Sequence, residues 1–192
     1  MTTLAARFSA TLLTMVTLTA VAGTRLQAIA DGPSTIAPGR FHVLVSQPMV
    51  RQRLELALQG AAERLSGSEC QKVFSDFRDG AGRPLQSKLE ALQQTGAEFL
   101  SWLRFSEGSG LPMCKQNPHV AAFTQPGSRV VTVCSVAFAP QFAKDRQQAN
   151  EVLIIHELLH TLGLEENPPS SAEISRGVLE RCGSQNVQRK PN

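Results

Sequence analysis

The 192-residue sequence contains no tyrosine and a single tryptophan, and aromatic residues make up 5% of it. Few rings are available to stack on bases, and the net charge of +3 comes from scattered rather than clustered lysines and arginines, so the footprint of a nucleic-acid-binding protein is missing. None of the four cysteines stands in a Cys-x-x-Cys pair, which argues against a cysteine-ligated structural zinc. Beyond the N-terminal leader, no apolar run approaches the length of a membrane-spanning helix. Internal repeats and low-complexity tracts are also absent. One globular domain is therefore expected, and 42% hydrophobic residues suffice for one sizeable core.

Arg7 precedes an apolar, threonine-rich run from Phe8 to Ala22, and small-residue sites follow at Ala20–Ala22 and Ala28–Ala30, the layout of a cleaved secretory signal. The sequence divides on this reading into a signal peptide, residues 1–30, and one domain, residues 31–192, with the mature chain secreted or periplasmic. Cys70, Cys114, Cys134 and Cys182 then imply two disulfides in an oxidising compartment. A hairpin closing at Gln125–Ser128 sets Cys134 opposite His119 and carries Cys114 further along. Cys70–Cys114 and Cys134–Cys182 are the pairings this favours.

Hydrophobic periodicity places a first strand at Phe41–Ser46 and an amphipathic helix at Arg51–Leu65. A short helix or turn at Cys70–Phe77 and a helix at Leu85–Gln94 follow. Glu98–Phe105 reads as a strand with Trp102 as a core anchor, and Glu107–Asn117 as a loop. Val120–Phe123 and Arg129–Val136 form a predicted hairpin across Gln125–Ser128. A helix from Glu151 to Leu162, with Asn150 as N-cap and Gly163 as its stop, is apolar almost all round and is expected in the domain centre. The fold class is α+β, with a mixed, mostly antiparallel sheet packed on helices.

That central helix carries His156-Glu157-Leu158-Leu159-His160. Two histidines four apart lie on one face about one turn apart, so both imidazoles reach a single metal ion. Glu157 projects to the side, where it holds a metal-bound water and takes its proton. A buried helix keeps three polar groups only if they are satisfied together, and a metal does that. Zinc in a hydrolase needs a third protein ligand. His42 and His119 lie far upstream, while Glu165, Glu166, Glu173 and Glu180 lie downstream.

The segment from His156 through Gly163 to Glu166 resembles the zincin metallopeptidases, the metzincins in particular, whose pattern is H-E-x-x-H-x-x-G-x-x-H. Gly163 stands at the turn position and Glu166 at the third-ligand position, where a glutamate replaces the histidine. No methionine follows Met113 to form the metzincin methionine turn. Thermolysin-like zincins take a glutamate from a later helix; Glu180 fits that spacing, though its surroundings lack the N-E-x-x-S-D pattern, and it ranks behind Glu166.

The resemblance implies a zincin-like fold and a zinc ion on His156, His160 and Glu166. It also implies Glu157 as the catalytic base of an endopeptidase acting on peptide or protein substrates. Zincins often stabilise the oxyanion with tyrosine or histidine; here His119 and Arg176 are the candidates, each also readable as an ordinary surface residue. His42 reads as structural. A zinc-stabilised exported binding protein without turnover is the alternative from a different class.

Overall fold

The sheet is assembled from four short strands that are far apart in the chain: β1 (His42–Leu44), β2 (Arg104–Glu107), β3 (Ala122–Thr124) and β4 (Val130–Val133), in the order β1-β2-β4-β3. The computed structural model describes residues 41–138 and 144–183. The expected signal segment, the lead-in to Gly39 and the link at 139–143 lie outside the described residues. All described residues fall in one compact unit, Ile36–Asn192.

β3 and β4 form the expected hairpin, with Phe123 opposite Thr132. The expectation of a mostly antiparallel sheet is corrected: β1 pairs parallel with β2, and β2 parallel with β4. Parallel neighbours require crossover connections. Helices α1 (Pro48–Leu65), α2 (Ser68–Gln71), α3 (Val73–Asp76), α4 (Leu85–Leu92) and α5 (Gly96–Ser101) supply the first, and α6 (Pro112–Gln116) with β3 supplies the second.

α5 occupies residues expected to begin a strand. Thr95 and Glu98 form a reciprocal capping box, Thr95 Oγ1 accepting from the Glu98 amide and Glu98 accepting from the Thr95 amide at 2.8 Å, which starts a helix before the β-rich residues can extend. Trp102 is accordingly not a core anchor. It closes α5 in the turn before β2, half exposed, with the Arg129 guanidinium 5.5 Å from its ring, while Phe99, Leu100 and Leu103 enter the core.

After the short helix α7 (Ser135–Phe138), helix α8 runs over Lys144–Thr161, and α9 (Ser171–Cys182) follows a loop. α8 begins several residues before the expected Asn150 cap, so Glu151 is an interior residue. Its carboxylate is buried and accepts from Arg64 Nε at 2.6 Å and from Gln147 Nε2 at 2.9 Å. Gly60 of α1 makes this possible, since a Cβ there would run into the Glu151 carboxylate. Arg64 also donates to the carbonyl of Cys182, so one guanidinium ties together α1, α8 and the end of α9.

As expected, the second half of α8 is central: Ile154, Ile155, Leu158 and Leu159, with Leu162 just past its end, are fully buried in one core with α1 residues such as Leu54, Leu58 and Leu65. Burying each such side chain contributes roughly 1.5–3 kcal/mol.

Both expected disulfide pairings are corrected: the bonds are Cys70–Cys182 and Cys114–Cys134. Residues 107–117 fold back through α6 rather than leading away, and Gly108, which leaves room beside Cys114 Sγ, lets Cys114 return to the end of β4. Cys134 pairs its amide with Ala121, not with His119. Cys182, at the end of α9, then meets Cys70 on α2. Among the described residues no helix is long and apolar enough to cross a membrane.

Candidate metal centre

Gly163 ends α8 as expected. At φ +103° its amide bonds to the His160 carbonyl at 2.8 Å, and the Leu164 amide bonds to the Leu159 carbonyl at 3.1 Å. The reversal turns the Leu164 carbonyl back onto His160 Nδ1, 2.8 Å away. A carbonyl only accepts, so Nδ1 carries the hydrogen and Nε2 of a neutral His160 presents a lone pair.

The same turn delivers Glu166. Its Oε1 lies 3.4 Å from His160 Nε2 and 3.5 Å from His156 Nε2, and the two Nε2 atoms are 3.0 Å apart. His156, His160 and Glu166 thus form a group whose candidate ligand atoms all lie within 4.8 Å of one another, able to hold a metal ion. Donors on a tetrahedral zinc at 2.0–2.1 Å stand roughly 3.3 Å apart, close to the spacing these three present. Glu180 stands on the exposed side of α9 and is not part of this group.

The electrostatics point the same way. His156, Glu157 and His160 are 4%, 4% and 5% exposed, among the apolar residues of the second half of α8. Burial, and secondarily the nearby His160, lowers the His156 pKa from 6.5 to about 4, leaving a neutral ring suited to ligation. Burial, and secondarily the Glu166 carboxylate, raises the Glu157 pKa from 4.5 to about 8. Glu157 Oε2 is fully enclosed and has no hydrogen-bond partner in the protein. A carboxylate oxygen in that position fits a bound water or cation better than a closed core.

Glu157 and the three candidate ligands line one cavity of about 490 Å³, bordered on one side by β3 from Ala122 to Thr124 and on the other by Ser171 and Ser175 of α9. Of the two suggested oxyanion residues, His119 reaches the cavity wall, whereas Arg176 lines a neighbouring depression between α8 and α9. His42 lies exposed on β1 and does not line the cavity.

Two further participants were not singled out from the sequence. Ser175 Oγ is 3.0 Å from His156 Nδ1, and the Leu164 carbonyl fixes His160. The second was implicit in Gly163, whose turn aims that carbonyl. Ser175 follows no spacing rule, because α9 is brought to α8 only by tertiary packing.

The described residues thus define an α+β protein with a candidate metal centre made of two histidines and a carboxylate on and just after a buried helix. No family model matches the chain, and neither the curated proteins nor the solved structures provide a match.

Proposed function

We propose that this chain is an exported zinc-dependent endopeptidase of the zincin type. The observation that carries the reading is the convergence of His156, His160 and Glu166 beside the partnerless, buried carboxylate oxygen of Glu157 in one cavity. Zinc held by these residues would supply a Lewis acid that polarises a carbonyl and brings the pKa of water near neutral.

The chain's own residues would do the rest. Glu157 takes a proton from the attacking water and returns it to the leaving amine. Leu164 and Ser175 orient the two imidazoles from behind. The outer edge of β3, antiparallel to β4 on its other side, offers an extended peptide backbone pairing along the cavity. Leu153, Ala122 and Phe123 give the cavity an apolar wall that limits water at the reacting centre.

The expected result with purified mature protein is hydrolysis of casein or a mixed peptide library in the presence of zinc. A strong chelator removes that activity and stoichiometric zinc restores it. Zinc-loaded protein with no hydrolysis of any peptide would instead favour the binding-protein alternative.

A further inference from the structure

A second depression, of about 690 Å³, lies beside the metal cavity along the seam between α8 and α9. Its α8 wall comes from positions 148, 149, 152 and 153 and its α9 wall from 175, 176 and 179, the spacing of one face on each helix. Leu153 and Ser175 stand between the two hollows, each lining both.

The chemistry of the two differs. The carboxylates of Glu157 and Glu166 line the metal cavity, whereas the charged group lining the depression among the described residues is the Arg176 guanidinium. Arg176 makes no hydrogen bond or ion pair among those residues. Its acidic neighbour on α9, Glu173, is engaged in the helix cap, accepting from the Ser170 amide at 2.8 Å and the Ser170 hydroxyl at 2.7 Å. Around the guanidinium the walls are mainly apolar, from Ala149, Val152 and Leu153 on one side and the half-exposed Leu179 on the other, with the Gln148 amide as a further hydrogen-bonding group. An aliphatic stem that ends in a carboxylate matches this lining. Its methylenes cover the apolar walls, and its two oxygens meet the fork of N–H donors that a guanidinium presents. A cationic side chain meets like charge there, and a purely apolar one leaves the guanidinium without a partner.

We propose that the α8–α9 depression is a substrate subsite for a carboxylate, with Arg176 as its specificity-determining residue. A peptide residue beside the bond held in the metal cavity reaches it by extending past Leu153 and Ser175. The carboxylate is that of an aspartate or glutamate side chain or of a free peptide C-terminus. The cleavage that this preference steers rests on the peptidase reading above; the contact with Arg176 does not.

Cleavage of matched peptides by the zinc-loaded mature protein, with kcat/KM measured for each, reads the preference. Bonds flanked by glutamate should be cut roughly 10-fold faster than their glutamine counterparts, with lysine slowest. Arg176→Glu should reverse the order of glutamate and lysine, and Arg176→Lys, which keeps the charge, should retain the acidic preference. Amidated peptides with an internal glutamate, set against free-acid peptides without acidic residues, tell which carboxylate the subsite takes. A contact measurement runs beside these: the Arg176 Nε signal of ¹⁵N-arginine protein should shift with acetyl-Leu-Glu amide or acetyl-Leu-Leu free acid, and not with acetyl-Leu-Gln amide.

Peptide hydrolysis with no preference for a carboxylate, or with a preference that Arg176→Glu leaves unchanged, overturns the subsite while the peptidase reading stands. If no peptide is cut but the carboxylate peptides alone shift Arg176, the peptidase reading falls and the carboxylate site stands. No hydrolysis and no shift with any of the three overturns both.

Discussion

Glu157→Gln should cut peptide hydrolysis by about 10²–10⁴-fold while leaving zinc bound, because it removes a base and keeps the shape and hydrogen-bonding capacity of a protonated carboxyl. The same substitution should make the metal-free protein more stable at alkaline pH. Glu157 has a folded pKa of about 8 against an ordinary 4.5. Between those values the unfolded chain releases a proton that the folded chain keeps, so stability falls as pH rises through that window and levels off above it. His156, with its pKa lowered from 6.5 to about 4, works in the opposite direction: stability rises with pH between those two values.

The two effects oppose one another in mildly acidic solution, and from about pH 6.5 to 8 the glutamate effect stands alone. Glu157→Gln abolishes that decline. Urea unfolding of the metal-free proteins should show the variant ahead by a few kcal/mol at pH 8 and level with the wild type near pH 4.5. Undiminished hydrolysis in the variant would remove Glu157 from the catalytic role.

Replacing both Cys70 and Cys182 by alanine should be more destabilising than removing the other disulfide. The Cys70–Cys182 bond closes a separation of 112 residues, and on the chain-entropy account a loop of that order contributes about 4–5 kcal/mol. Both cysteines are fully buried where α9 meets α2, so their removal also loosens the helix that carries Ser175. Cys114–Cys134 spans only 20 residues, and its double replacement should cost about 3 kcal/mol. Equilibrium unfolding in urea orders the two. Weaker zinc binding is expected to accompany loss of the first bond, because its partner helix supports His156; the second joins α6 to the end of β4 and does not involve α9.

What could be read from the sequence was local. The apolar periodicity of α8, the glycine that ends it and the turn at Gln125–Ser128 depend on near neighbours, and each is where the pattern placed it. So does the grouping of Glu166 with the two histidines, because Gly163 sets how the chain returns.

The misreadings have identifiable causes. At residues 98–101 the β-prone aromatic and leucine residues outweighed the Thr95-x-x-Glu98 capping box, although the cap set the outcome. At Glu151 a favourable charge for a helix start concealed a buried partner for Arg64, a contact across 87 positions. Parallel pairing of β1 with β2, the cysteine partners and Ser175 are all fixed by long-range packing, which leaves no periodicity to read.

Zinc stoichiometry after loading and exhaustive dialysis tests the central claim most directly. The wild type and Glu180→Ala should each retain one zinc per chain, and His156→Ala, His160→Ala and Glu166→Ala should each retain far less while remaining folded. A wild type that keeps no zinc would contradict the account, as would a Glu166→Ala protein that keeps its full complement.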